Sequence, residues 1–147
     1  MKGLESMPLK YLVITIILFI VVGIGFWQID TFMKFNTQKN FKEDIVGIAQ
    51  KMDFLRSGSD HGSVSRVGIL VPKGYEFSID IDNDTLIGNL SGEIYSAELD
   101  MNITWVKITG SRYNNGTVGL GGGNFEFSVY YGELEEDQVK DYTIVIK

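Results

Sequence analysis

Hydrophobic positions fall into three regimes along this chain. From Leu9 to Trp27 (LKYLVITIILFIVVGIGFW) almost every position is apolar, with no charge after Lys10 and, after Tyr11, Thr15 as the one polar side chain before Gln28. A helix rises about 1.5 Å per residue, so this stretch matches a hydrocarbon core of roughly 30 Å. Lys10 and Tyr11 at one end and Trp27 at the other are residue types that anchor at headgroups. A buried helix of a soluble core is the rival reading, but a chain of 147 residues has little with which to surround a helix apolar on every face. A cleaved secretory signal is a second rival. The stretch is long for one, and no small-x-small cleavage site follows it. The pattern predicts a membrane span.

The second regime is amphipathic. Ile29, Phe32 and Met33 continue an apolar face, and Phe41, Ile45, Ile48, Met52 and Leu55 then recur at alternating four- and three-residue steps, which places them on one stripe of a helix. Lys42, Glu43, Asp44, Lys51 and Asp53 occupy the other side. Polar residues interrupt the stripe at Asn36 to Lys39, where a kink or frayed turn is expected. The stripe has two possible covers, the chain's own remaining domain or neighbouring copies. The helix is expected to end in the turn-forming run from Ser57 to Ser63.

Beyond it the period falls to two. Val67, Ile69 and Val71 alternate, as do Tyr75, Phe77, Ile79 and Ile81; Ile94, Tyr95, Ala97, Leu99, Met101, Ile103 and Trp105 form one longer run. Phe125, Phe127 and Val129 follow, then Tyr142, Ile144 and Ile146. Turn signals at Pro72-Lys73-Gly74, Asp82-Asn83-Asp84 and Asn114-Asn115-Gly116 separate these runs. Roughly six or seven antiparallel strands with one buried face are expected. The predicted fold class is α+β, a long N-terminal hydrophobic and amphipathic helix followed by a small antiparallel β-sandwich-like domain.

Charge and composition narrow the function. A net charge of -6 argues against a nucleic-acid partner, whose phosphates call for basic side chains. The absence of cysteine excludes disulfide scaffolds, thiolate metal sites and cysteine nucleophiles. His61, the single histidine, sits in a Ser/Gly loop with no paired nucleophile nearby. Asp80, Asp82 and Asp84 resemble the opening of a calcium loop, but Thr85 and Ser91 stand where its glycine and glutamate belong. The cluster Gly119-Leu120-Gly121-Gly122-Gly123-Asn124 completes no phosphate-loop or dinucleotide motif, and reads as a flexible loop or a strand edge where backbones approach closely. The acidic run Glu133, Glu135, Glu136 and Asp137 reads as a solvated turn. The residues offer no catalytic constellation, metal site or cofactor site, and the chain is read as non-enzymatic.

Two features point outward. Asn-x-Ser/Thr sequons occur at Asn83, Asn89, Asn102 and Asn115, each a candidate N-glycan acceptor if this half is exported. The N-terminus, Met1-Lys2-Gly3-Leu4-Glu5-Ser6, is a short basic leader ending in Lys-Gly ahead of a long hydrophobic helix. It resembles the class III signal peptides of archaeal type IV pilins and related archaeal surface-filament proteins. The resemblance covers Lys2 to about Trp27 by sequence and the whole chain by layout. It implies a cut between Gly3 and Leu4 by a prepilin peptidase-like enzyme, with Lys2 presenting the site and Leu4 as the new N-terminus. Many such pilins carry glutamate at the fifth mature position; here that position is Pro8, a residue tolerated in a first helical turn that Ser6 can cap.

The expected organisation is a leader at 1–3, a transmembrane or filament-core helix at 4–28, an amphipathic extension at 29–56 and an extracytoplasmic β domain at 57–147. Lysine count does not favour this orientation, since Lys34, Lys39 and Lys42 lie beyond the span against Lys2 and Lys10 before it. The leader and the sequons do favour it. The leading expectation is a subunit or minor component of a pilus-like surface filament, self-associating, or joining other pilin-like subunits, through its N-terminal helix. The alternative is a single-pass membrane anchor with a β-sandwich binding module, such as a stator-type component that holds the surface layer.

Overall fold

The computed structural model describes residues 6–133 and 143–146. Lys2, Gly3, Leu4 and Glu5, the acids Glu135, Glu136 and Asp137, and Tyr142 lie outside the described residues. The fold is α+β, a long N-terminal hydrophobic helix followed by a small antiparallel β-sheet domain. Helix α1 (Ser6–Gly58) precedes β1 (Val64–Val71), β2 (Glu76–Asp80), β3 (Thr85–Leu90), β4 (Glu93–Glu98), β5 (Ile103–Ile108), β6 (Ser111–Tyr113), β7 (Thr117–Leu120), β8 (Gly123–Tyr131) and β9 (Thr143–Ile146). The chain divides into two compact units, Met1–Thr37 and Gln38–Lys147.

The expected frayed turn at Asn36 to Lys39 does not occur, because all four residues are helical. Polar side chains there interrupt the apolar stripe without interrupting the backbone bonds. Thr37 turns its hydroxyl back to the Met33 carbonyl at 2.9 Å, and Lys39 faces Glu43 one turn on at 3.7 Å. Side-chain polarity and helicity are separate properties, and the sequence pattern reported only the first.

In the second unit the strands form two sheets, ordered β1-β8-β9-β5-β6 and β4-β3-β2-β7. Phe77 on β2 and Gly88 on β3 are direct antiparallel partners, so they share one face of the second sheet. Phe77 meets Phe127 of β8 on that face, with ring centroids 6.1 Å apart. The same face receives Phe41 and Ile45 of α1, which crowd against Gly88. The predicted stripe of Phe41, Ile45, Ile48, Met52 and Leu55 is therefore core, each residue at most 6% exposed and clustered with Val67, Ile79, Leu86 and Val129. Burying each such side chain contributes about 1.5–3 kcal/mol. The chain's own β-sheets cover this stripe, and Lys42, placed by the periodicity on the solvated side, is drawn to Glu93 of β4 at 2.8 Å and over the Tyr95 ring.

Three strand expectations are corrected. The run from Ile94 to Trp105 is two strands, β4 and β5, in different sheets. Ile94 is 72% exposed, while Leu99 and Met101 are buried in the connection. Within β5 the register on β9 shifts between Ile103 and Trp105, leaving Thr104 without a ladder partner. One extra residue flips the phase, so Ile103 and Val106, not Ile103 and Trp105, join the central cluster. Trp105 lies opposite Val145 and is capped by the Arg112 guanidinium, 4.4 Å from its ring. Finally, β8 and β9 run parallel, alone among the strand pairs of the described residues.

Two hairpins account for strands that hydrophobic alternation does not reveal. Ser91-Gly92 joins β3 to β4 with φ of +58° and +106°, and Thr109-Gly110 joins β5 to β6 with +48° and +84°. Positive φ at both central residues is the type I′ turn, one of the two that match the twist of a two-residue hairpin.

Candidate functional site

The first unit presents its chemistry as surface. Every large apolar side chain from Leu9 to Phe35 is between 45% and 72% exposed, and none of the apolar window is buried. α1 is thus the one helix among the described residues long and apolar enough to cross a membrane. The buried-core-helix reading of this stretch does not hold. The threonine hydroxyls are satisfied within the helix. Thr15 donates to the Tyr11 carbonyl at 2.8 Å and Thr31 to the Trp27 carbonyl at 3.0 Å, so neither hydroxyl needs water. The first charges after Lys10 are Asp30 and Lys34, paired one turn apart at 2.8 Å. Around that pair the apolar surface continues: Trp27, Thr31 and Phe35 line a shallow groove with Gln28 and Phe32, and Ile29 and Met33 are also exposed.

The carboxylates that resembled a calcium loop are bound to backbone amides. Asp80 Oδ1 accepts from the N–H groups of Asp82 and Asn83 at 3.1 and 3.2 Å. Asp82 Oδ2 accepts from Gly116 at 3.0 Å, and Asp84 Oδ1 from Ile103 at 2.6 Å. Together they tie the β2–β3 turn to the segments before β5 and β7. Among the described residues no cluster of three or more His, Asp or Glu is placed to hold a metal ion. His61 is exposed, with its ring edge-on to Tyr131 at 5.0 Å, in a turn joined to the end of β8 by the Gly62 N–H donating to the Tyr131 carbonyl. The glycine cluster ends β7 and begins β8. A Cβ on Gly122 would stand 3.2 Å from Lys73 Cα, which is the close backbone approach its composition suggested.

The four sequons are spread over the second unit. Asn83 is in the β2–β3 turn, Asn89 within β3, Asn102 just before β5 and Asn115 in the connection from β6 to β7. All are exposed except Asn89, which is half-buried.

Phe54 is the surface residue that the pattern missed. It lies on α1 one position before Leu55 yet is 69% exposed, between shallow clefts lined by Asp53, Arg56 and Asp100 on one side and Lys51, Val64 and Ser65 on the other. Its position off the stripe was the available signal. Among the described residues, Asp44 is the one group with a shifted titration. Partial burial pushes its carboxyl up, the neighbouring Glu43 adds to this, and Lys51 opposes it. Compared with protein-family models, with curated proteins and with solved structures, the chain matches none.

Proposed function

We propose that this chain is a non-enzymatic structural subunit, or minor component, of an archaeal type IV pilus-like surface filament. It starts as a single-pass membrane protein with the β unit outside. A prepilin peptidase-like enzyme cuts between Gly3 and Leu4, and the apolar helix then leaves lipid to bundle with copies of itself or with other pilin-like subunits.

The observation that carries this reading is the length of unburied apolar helix. From Leu9 to Phe35 the helix rises about 40 Å, against a hydrocarbon core of roughly 30 Å. Phe32, Met33 and Phe35 each remain at least 63% exposed past the length a bilayer covers. A helix that only anchors has no use for aromatic surface beyond the headgroups, whereas neighbouring helices cover it along its whole length. Between such helices dispersion and shape supply the association, since lipid tails are as apolar as leucine. The amphipathic stripe farther along α1 is already sealed inside the β unit, so the N-terminal stretch is what remains for self-association.

Intact-mass analysis of the protein from its source organism tests the processing step, with a chain beginning at Leu4 expected. A chain that retains Met1 or Lys2 removes the leader's support. Electron microscopy of the surface fraction, with antibody to the β unit, tests assembly. Label on membranes and never on filaments would leave the solitary anchor as the surviving reading.

A further inference from the structure

The sequons differ in the two groups that glycan transfer needs. The nucleophile is the asparagine Nδ2, and the hydroxyl two residues on must be presented with it. In the folded domain a sequon offers both where neither is tied up by other groups, and in an extended segment residues i and i+2 share a face.

Asn83 fails on each count. Its Nδ2 donates to Asp80 Oδ2 at 2.8 Å, the Thr85 hydroxyl donates to the Asn83 carbonyl at 2.8 Å, and Asp84 between them has φ of +52°. Asn89 sits in a strand paired on both sides and caps the Gly92 N–H at 3.0 Å. Its partner Ser91 has φ of +58° and gives its hydroxyl to the Gly74 carbonyl. Asn115 is exposed, but Gly116 at the centre of its sequon has φ of +78°. The Gly116 N–H is held by Asp82, and its carbonyl by the Ile81 N–H at 3.0 Å.

Asn102-Ile103-Thr104 is different. Asn102 and Thr104 are both exposed, and neither side chain is hydrogen-bonded among the described residues. Thr104 is the residue at which β5 slips register on β9, so it has no ladder partner there, and β6 pairs only from Val106 onward. Ile103 between them is fixed, with its side chain in the core and its N–H on Asp84 Oδ1. An anchored middle residue in an extended segment turns both flanking side chains outward together.

We propose that Asn102 is the N-glycan acceptor of this domain, taking an oligosaccharide from a lipid-phosphate donor. In the transfer Asn102 Nδ2 bonds to C1 of the first sugar and the C1–O bond to phosphate breaks. The lipid phosphate leaves with the electron pair, and the amide proton passes to the transferring enzyme. The proposal rests on the exported orientation given above, so topology is measured in the same samples.

The full chain is recovered from membranes of the source organism, with external protease used to establish whether the β unit is outside. Glycopeptide mass spectrometry then reads each sequon. The expected result is a sugar mass on the Asn102 peptide alone, lost in Asn102→Gln and, independently, in Thr104→Ala, and kept when Asn83, Asn89 or Asn115 is changed to Gln. An accessible β unit with bare Asn102, or with sugar on another sequon instead, overturns the proposal and leaves the topology standing. A β unit that external protease cannot reach overturns both.

Discussion

Ile45 of α1 fills the space in which a side chain on Gly88 of β3 would begin. Phe41 closes the same site, its Cε1 3.1 Å from where a Cβ would stand. Both residues are at most 1% exposed, so neither has room to withdraw. The glycine is needed for close approach between helix and sheet, not for its backbone freedom. Gly88→Val is therefore expected to cost about 1–3 kcal/mol, the range for overpacking a filled core. Thermal unfolding of the full chain in detergent checks this. Gly47→Ala on α1 is the control, because among the described residues nothing outside the helix's own turns lies within 4 Å of a Cβ there. It is expected to be neutral or to stabilise by up to about 1 kcal/mol. Equal losses from both would mean that helix and sheet do not meet at Gly88.

Much of this packing was legible in the sequence. The four-three spacing from Phe41 to Leu55 marked the buried helix face, and alternation marked β1, β2 and β8. Three things were hidden for physical reasons. Alternation cannot count residues across a bulge, so it marks Trp105 as buried, which it is, but not that Val106 takes the place in the central cluster. Ser91-Gly92 and Thr109-Gly110 make hairpins through positive φ, which neither dipeptide announces as strongly as Asn-Gly does. The parallel pairing of β8 with β9 is set by long-range topology, on which local patterns are silent. The sequons were visible as strings, but whether each amide is free depends on partners such as Asp80 that only the fold brings close.

The β unit is expected to need its part of α1. Phe41, Ile45, Ile48, Met52 and Leu55 together contribute roughly 7–15 kcal/mol of burial, comparable with the whole stability of a small domain. A fragment beginning at Gln38 should fold as a soluble monomer with both helix and strand signals by circular dichroism. A fragment beginning at Ser59 should aggregate or remain unfolded. A cooperative, soluble Ser59 fragment would show that the helix is an accessory rather than core.

Asp84 holds the start of β5. Replacing it with Ala leaves the Ile103 N–H without its acceptor and puts a Cβ residue at φ of +52° without a side chain suited to it. The expected cost is about 1–3 kcal/mol, with Asp84→Asn costing less because it keeps an oxygen and tolerates positive φ. Calcium or chelator should leave both unfolding midpoints unmoved, since the neighbouring carboxylates already serve backbone amides. A calcium-dependent rise in the wild-type midpoint would overturn that structural role.

Asp44 gives a pH dependence with a definite sign. Its folded-state pKa is raised above 3.8 by burial first and Glu43 second, so the ionised form is disfavoured in the fold. Its ionisation therefore opposes folding at neutral pH. The penalty fades as pH falls through the raised value and is gone below 3.8. Asp44→Asn should stabilise the protein at pH 7 by up to about 0.5 kcal/mol, the scale of surface substitutions. The gain should vanish when the two unfolding curves are compared near pH 3.5. A variant less stable at pH 7 would mean that the Lys51 attraction outweighs burial.

Gly23 separates a filament subunit from a solitary anchor. Among the described residues, apart from the helix's own turns, nothing lies within 4 Å of a Cβ built there. Any sensitivity must come from outside the chain. In a bilayer, Gly23→Arg costs about 2.5–3.5 kcal/mol on the insertion scale for a helix centre, snorkelling toward the headgroups reduces this, and the protein should still insert. In a dry bundle of helices the same charge has no partner, and an unpaired buried ion costs several kcal/mol. Gly23→Leu adds bulk without charge and asks whether close approach alone matters there. The variants are expressed in the source organism, and membrane insertion, thermal unfolding of the β unit and filament incorporation are scored separately. The filament reading expects normal insertion and folding, no filaments with Arg, and a partial loss with Leu. Filaments that assemble normally with arginine at this position would place Gly23 away from every neighbour and remove helix bundling as the basis of assembly.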